Sequence, residues 1–375
     1  MDKQMIKNSS EIRPLTGIRG IAALTVVLYH YFANDKIPGQ PYFFLMKGYL
    51  SVDLFFMLSG IVLAMNYSNS VTLHGTFRTY RIFILKRLAR IYPLYITATV
   101  FLLMIAAVRY YMKGVPFTPE QSLPSVIANI FLVQTWGFGE SVVGPAWSIS
   151  VEFAAYIIFP ILVALTITSR AIVASMFAAV LIALLVFAMP HAFPFAGMDL
   201  WEGDTVFPLL RCIAGFSFGL IAFRLSRNLA LQRIFASNYF FLIAILACSL
   251  CVAFNENDLA IYATIFMLII SCHSACRIAE ITFGNPVAHY VGQISYSIYL
   301  GHVVLWSYLT RLSAFSDHYL ARTGALGKYL LPVVILVVIG TVLHFVVERG
   351  GKKVFFALCN LNDRVRLTDP SQSMV

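Results

Sequence analysis

Long apolar runs, far longer than the core helix of a soluble domain needs, alternate along this chain with short polar segments rich in Gly, Pro and basic residues. The hydrocarbon core of a bilayer is about 30 Å thick and takes about 20 apolar residues per helical span. Ten runs have that character, at about residues 17–34, 46–67, 90–111, 149–169, 171–190, 206–225, 239–255, 259–276, 289–312 and 326–347. No barrel-like alternation of polar and apolar positions appears, and helices satisfy their own backbone hydrogen bonds in lipid. The pattern predicts an all-α fold, a polytopic transmembrane helical bundle of about ten spans. A single domain is expected over residues 1–375, with its core at about 13–349, short cytoplasmic tails at both ends and no appended soluble domain. The longest connection, residues 112–148, carries Pro116, Pro119, Pro124, Gly137, Gly139, Gly144 and Pro145 around a short apolar stretch at 127–133. That combination suggests a re-entrant or interfacial helix.

Composition agrees with this pattern: 59% of the 375 residues are hydrophobic and 12% charged, roughly half the charged share of an average soluble domain. A net charge of +10 raises the question of nucleic acid, but excess Lys and Arg is what cytoplasmic loops of membrane proteins carry. With the N-terminus inside, the inner segments hold most of the 27 basic residues, from Lys3, Lys7 and Arg13 through Arg78, Arg81 and Arg170 to Arg364 and Arg366. Outer loops collect Asp199, Glu202, Asp204, Glu256 and Asp258, and Arg211 falls within a span. Both termini are therefore expected in the cytoplasm. The first run has no small-residue cleavage site and ends in Tyr29, His30 and Tyr31, so it reads as a retained helix rather than a signal peptide. The six cysteines, including Cys248 and Cys251 in a C-x-x-C and Cys272 and Cys276, lie mostly in apolar runs. They read as small packing residues, with neither a metal site nor a disulfide framework.

Ionisable groups inside spans are costly and mark candidate function. Arg19 and His30 are eleven residues apart, so at 100° per residue their azimuths differ by only about 20°, with roughly 16 Å between them along the axis. One stripe of the first span thus carries an Arg near the inner surface and a His towards the outer side. Asp53, in GYLSVDLFFMLSG, enters the second span from outside at a similar depth; it is expected either to pair with His30 and orient the ring or to cap its helix. Between the second and third spans, RTYRIFILKRLARIYPLY places Lys86, Arg87 and Arg90 on one helix face, an array suited to a polyphosphate as well as to positive-inside topology. In GPAWSISVEFAAY, Trp147 suits the outer interface and Ser148 follows it. Glu152, with Tyr156 at i+4, is a buried carboxylate that needs a partner or a proton. It is expected to orient an acceptor hydroxyl, share a proton with His30 or pair with an Arg. In QISYSIYLGHVVLW, Ser295, Tyr299 and His302 form a polar stripe. Glu348 with Arg349 reads as interfacial anchoring.

Taken together these segments resemble the acyltransferase-3 family of integral membrane acyltransferases. The resemblance rests on Arg19-x10-His30, SVDLFFMLSG at 51–60 with Asp53, Phe55, Phe56, Ser59 and Gly60, KRLARIYPLY at 86–95, WSISVEF at 147–153 and ISYSIYLGH at 294–302, in the family's order. It implies transfer of an acyl group, usually acetyl from acetyl-CoA, to a hydroxyl of a cell-surface carbohydrate or, less often, a macrolide. It makes Arg19 and His30 the functional pair and associates Arg87 and Arg90 with the acyl donor. The family's Glu-x-Pro reads Glu348-Arg349-Gly350 here, a departure confined to the geometry of that terminus.

The resulting expectation is an acyl-CoA-dependent O-acyltransferase of the bacterial cytoplasmic (inner) membrane. No cofactor is bound permanently, acetyl-CoA is the co-substrate, and no metal or nucleic acid takes part. Its partners are the bilayer, acyl-CoA and a glycan or glycolipid acceptor; the sequence leaves homo-oligomerisation open. His30 acts as general base with Asp53 and Glu152 beside it, and Arg19, Lys86, Arg87 and Arg90 bind the donor. Ser59, Trp147, Ser148, Tyr156, Ser295, Tyr299 and His302 line the substrate cavity. An acyl-histidine intermediate is the competing route. A transporter or flippase of an envelope glycan is the alternative function, since polar intramembrane groups also mark substrate pathways; no broken-helix inverted repeat favours it.

Overall fold

The computed structural model describes residues 11–33, 43–72, 75–189, 197–199, 206–254, 256–305 and 324–359. Among them there is no strand; every regular element is a helix. The principal helices are α1 (Arg13–Ala33), α2 (Ser51–Thr72), α3 (Phe77–Lys113), α4 (Leu123–Ile130), α5 (Trp147–Ile157), α6 (Phe159–Val163), α7 (Ala171–Ala188) and α8 (Phe207–Ser226). There follow α9 (Asn238–Ala253), α10 (Asp258–His273), α11 (Pro286–Gln293), α12 over residues 295–305, α13 (Gly324–Leu343) and α14 (Arg349–Leu358). Among the described residues, five helices are long and apolar enough to cross a membrane, or up to eight with each bent pair counted as one span. At 21 residues α1 is long enough, but Arg19 and His30 dilute its apolar run. Residues 306–312 of the ninth expected span lie outside the described residues, as do Lys3, Lys7, Glu202, Asp204, Arg364 and Arg366.

Local chemistry sets the breaks. α3 starts where the Thr76 side chain accepts from the Thr79 amide and stops where Gly114 adopts φ 63°, a left-handed conformation that glycine takes without Cβ strain. The basic segment expected as a connection is instead continuous with the third span inside α3, despite Pro93. The fourth expected span is not one rod: its two halves meet at Ile158 with a 67° bend. Pro160 in the next turn has no N–H to offer the preceding turn, so the helix restarts there. The 112–148 connection does hold a helix, α4, capped by Ser122 and begun with Pro124. The chain then turns at Leu132 (φ 60°) and Gly137 (φ 87°). Its polar side chains pack inward: Asn129 and Gln134 are fully buried, and the Tyr95 hydroxyl donates to Asn129 Oδ1 (2.9 Å). Lacking the expected proline, the C-terminal end stays helical: α13 passes through a wider turn at His344–Glu348 straight into α14.

In lipid, helices associate through close packing of small residues rather than through the hydrophobic effect. Gly60 of α2 and Gly219 of α8 show this: a Cβ on either one meets a carbonyl oxygen of the opposite helix at 2.1 Å. At a second crossing, a Cβ on Gly20 of α1 meets the Gly292 amide of α11 at 2.5 Å. Apolar cores form on the two sides of α2. One packs α1, α8, α9 and α10 against it, and the other packs α3, α5, α6 and α8. The cavity of interest opens between α1, α2, α3, α5 and α12.

Candidate active site

The α1–α11 crossing brings the Arg19 side chain against the chain leading into α12. Its Nη2 donates to the Gly292 carbonyl (2.8 Å) and its Nε to Ser295 Oγ (3.0 Å). Eleven residues along α1, His30 Nδ1 meets His302 Nε2 at 3.2 Å. Both members of the predicted stripe therefore face the same neighbouring segment, and α1 and α12 run in the same direction.

Arg19 lines a cavity of about 390 Å³. Arg87 and Arg90 of α3 line it too, with Ser59 of α2, Ser148, Glu152 and Tyr156 of α5, and Ser295 and Tyr299 of α12. The i, i+3 spacing turns Arg87 and Arg90 to the cavity. Lys86, 100° round the helix from Arg87, is not among the lining residues. Arg87 Nη2 donates to the Tyr67 hydroxyl (3.1 Å), while its Nε is buried without a hydrogen-bond partner. Glu152 faces neither His30 nor an arginine at ion-pair distance; the Ser59 hydroxyl donates to its Oε1 in a short hydrogen bond. Towards the other end, Tyr299 shares a hydrogen bond with Ser148 Oγ (2.9 Å) and donates to the Pro145 carbonyl (2.8 Å).

Beyond Tyr299 lies the histidine pair. The Tyr299 and His302 rings are 5.9 Å apart, and His302 Nδ1 lies 2.5 Å from the Tyr299 carbonyl oxygen. His302 is 1% exposed, whereas His30 is half-buried. Neither lines the cavity itself, so His302, expected as a lining residue, sits one layer behind Tyr299. Trp147 is likewise not a lining residue. Its ring packs on the Arg211 guanidinium at 5.5 Å and on Phe56, because the first residue of α5 points away from the Ser148–Glu152 face.

The expected pairing of Asp53 with His30 is corrected by the structure. Asp53, fully buried, accepts two hydrogen bonds from Arg211 of α8, Nε to Oδ1 at 2.8 Å and Nη2 to Oδ2 at 2.6 Å. Arg211 completes its fork with the carbonyls of Met198 (2.7 Å) and Tyr49 (3.0 Å). A fully desolvated charge needs such a partner, and the close α2–α8 crossing at Gly60 and Gly219 brings Arg211 to it. Asp258 closes the same knot, accepting from Lys47 Nζ (2.7 Å), the Tyr49 hydroxyl (2.8 Å) and the Met198 amide (2.5 Å). Next to it, Tyr29 donates to Asp199 (2.5 Å), whose carboxyl is pushed up by burial and pulled back by this hydrogen bond.

At the opposite end of the bundle Glu348 does more than anchor. Its Oε2 accepts from Ser297 Oγ and meets His344 Nδ1, both at 2.9 Å, and Arg349 Nε donates to His344 Nε2 (3.1 Å). Arg211, Asp258 and His344 escaped the sequence reading. For Arg211 a signal existed, since a lone arginine inside a span calls for a carboxylate inside another; Asp258 looked like an ordinary loop acid, and nothing in the pattern marked His344.

Charged side chains of α1, α3 and α5 gather round one cavity in the helical bundle, and similarity to known proteins says which class of protein this is. The acyltransferase-3 model, described as an acyltransferase domain, matches residues 13–349, and the chain belongs to that family. It is 26% identical over 323 residues to the O-acetyltransferase OatA of Staphylococcus aureus (strain NCTC 8325 / PS 47), covering 77% of this chain and 49% of that protein. Similarity to the acyltransferase MdmB of Streptomyces mycarofaciens is 31% identity over 157 residues, 39% of this chain and 38% of that one. Protein 2 in the picA locus of Rhizobium radiobacter is 41% identical over 118 residues, 30% of this chain and 54% of that protein. The chain thus spans about half the length of these relatives, or less. No solved structure matches it significantly.

Proposed function

We propose that this protein is an O-acyltransferase of the bacterial cytoplasmic membrane that moves an acetyl group from cytoplasmic acetyl-CoA to a hydroxyl of a cell-surface carbohydrate. One observation carries the reading: a single cavity has arginines Arg19, Arg87 and Arg90 in its lining and ends at Tyr299, against which the His30–His302 pair is packed. Guanidinium forks match phosphate geometry, so the arginines suit the phosphates of CoA and the lining between them and Tyr299 suits its acyl-bearing arm. Both chain ends lie on the cytoplasmic side in this reading.

Neutral His30 takes the proton of the acceptor hydroxyl as that oxygen attacks the thioester carbonyl. The new C–O bond forms, the C–S bond breaks, and the CoA thiolate leaves with the proton returned from the imidazolium. Ser59 donates to Glu152, and the carboxylate it holds in the cavity lining accepts from a hydroxyl of the acceptor. Asp53 enters only through Arg211, as part of the outer wall.

Membranes carrying the protein, given acetyl-labelled acetyl-CoA, are expected to label an envelope glycan. His30→Ala is expected to lower that transfer by about 10²–10⁴-fold, the usual contribution of a general base. Near-wild-type labelling by the folded variant sinks the reading, and a transporter would transfer no label at all.

A further inference from the structure

Where two imidazoles bond to each other, each proton must be assigned to a nitrogen, and here the backbone assigns them. A carbonyl oxygen only accepts hydrogen bonds, so the His302 nitrogen 2.5 Å from the Tyr299 carbonyl, Nδ1, must carry a hydrogen. A neutral imidazole has one N–H, so His302 Nε2 is a bare lone pair. That lone pair faces His30 Nδ1 at 3.2 Å, and only a hydrogen on His30 Nδ1 makes this contact favourable. The remaining basic position of His30 is Nε2, at the tip of the side chain. The ring centroids are 5.1 Å apart with planes 20° from parallel, so the rings are stacked with an offset that leaves these two nitrogens at hydrogen-bond distance.

We propose that His302 is a positioning residue that fixes His30 in the Nδ1–H tautomer and presents Nε2 as the base, the Tyr299 carbonyl setting the direction of the whole line. This rests on the general-base reading of His30. A carboxylate more often holds a histidine this way, but Asp53 is committed to Arg211. An additional unpaired carboxylate in this dry layer is also costly. A neutral imidazole supplies the same acceptor without a second buried charge.

Glutamine imitates a neutral imidazole held in this way: its Nε2–H can donate to the Tyr299 carbonyl while its Oε1 accepts from His30. Leucine can do neither. In purified protein, His302→Leu is expected to lower kcat about 10- to 100-fold with KM for acetyl-CoA unchanged, and His302→Gln to restore most of kcat. Wild-type kcat in His302→Leu overturns the proposal. So does a His302→Gln as slow as His302→Leu while both elute as native protein, since His302 would then act through its own ionisation. If His302→Leu does not accumulate, His302→Gln alone decides, with wild-type-like kcat supporting the proposal and a loss as deep as that of His30→Ala overturning it. Full transfer by His30→Ala sinks the base reading itself. An inactive His30→Ala beside a fully active His302→Leu sinks only the assignment of His302.

Discussion

Two regions of this bundle bury charge and use it in opposite ways. In the Asp53–Arg211–Asp258 knot all three side chains are buried, and every hydrogen bond of Arg211 ends on a carboxylate or a carbonyl. In the cavity, Arg87 keeps a buried Nε without a partner, and Glu152 is held by a serine rather than by a cation. Saturated charges hold helices at fixed positions; unsaturated ones wait for a ligand. An ionisable side chain within a span is therefore only the beginning of a functional assignment, and its unspent hydrogen-bonding capacity decides between the two roles.

The sharpest way to break this comparison is at the knot. Arg211→Ala leaves Asp53 buried and unpaired, which costs about 3–5 kcal/mol; the variant is expected to lose most of its folded population in detergent thermal unfolding. Asp53→Leu combined with Arg211→Met is expected to recover much of that stability, because it removes both charges together. A stable Arg211→Ala that merely loses transfer would move the knot into the catalytic machinery.

Within the cavity the expected order is reversed, with activity lost and the fold kept. Glu152→Gln retains shape and an acceptor oxygen for Ser59 but loses the charge, so transfer should fall about 10- to 100-fold at an unchanged unfolding temperature. For Arg87→Lys the planar fork is replaced by a point charge. Its KM for acetyl-CoA should rise about tenfold, or 1.4 kcal/mol, with kcat little changed. Lys86→Ala should be the mildest, within about 1 kcal/mol of wild type, as for a solvated charge. A Lys86 effect as large as that of Arg87 would place donor binding outside the cavity.

What could be read in advance follows a physical boundary. The shared stripe of Arg19 and His30 needs only helical geometry along one segment, and Ser295 with His302 on α12 is the same kind of inference; both stripes meet in the structure. Partner choice is different. Asp53 and Arg211 are 158 residues apart, and their pairing depends on how α2 and α8 are rotated and how closely glycines let them approach. Depth alone made His30 look like the partner. The break at Ile158 was written in Pro160 but hidden by the apolar run on both sides of it. The missing proline after Glu348 was legible as an anomaly, and its result, a helix continuing into α14, required the backbone.

α1 and α12 are stitched at both ends, by Arg19 on Ser295 and by His30 on His302. Such a ladder works as a ruler. The distance from the arginine end to the histidine end is set by the count of residues between two rungs, not by loops or by lipid. One residue inserted into α1 between the rungs lengthens that helix by about 1.5 Å and swings everything after it by about 100°. Both rungs cannot then close at once. The length of α1 between positions 19 and 30 is accordingly fixed by two contacts at once.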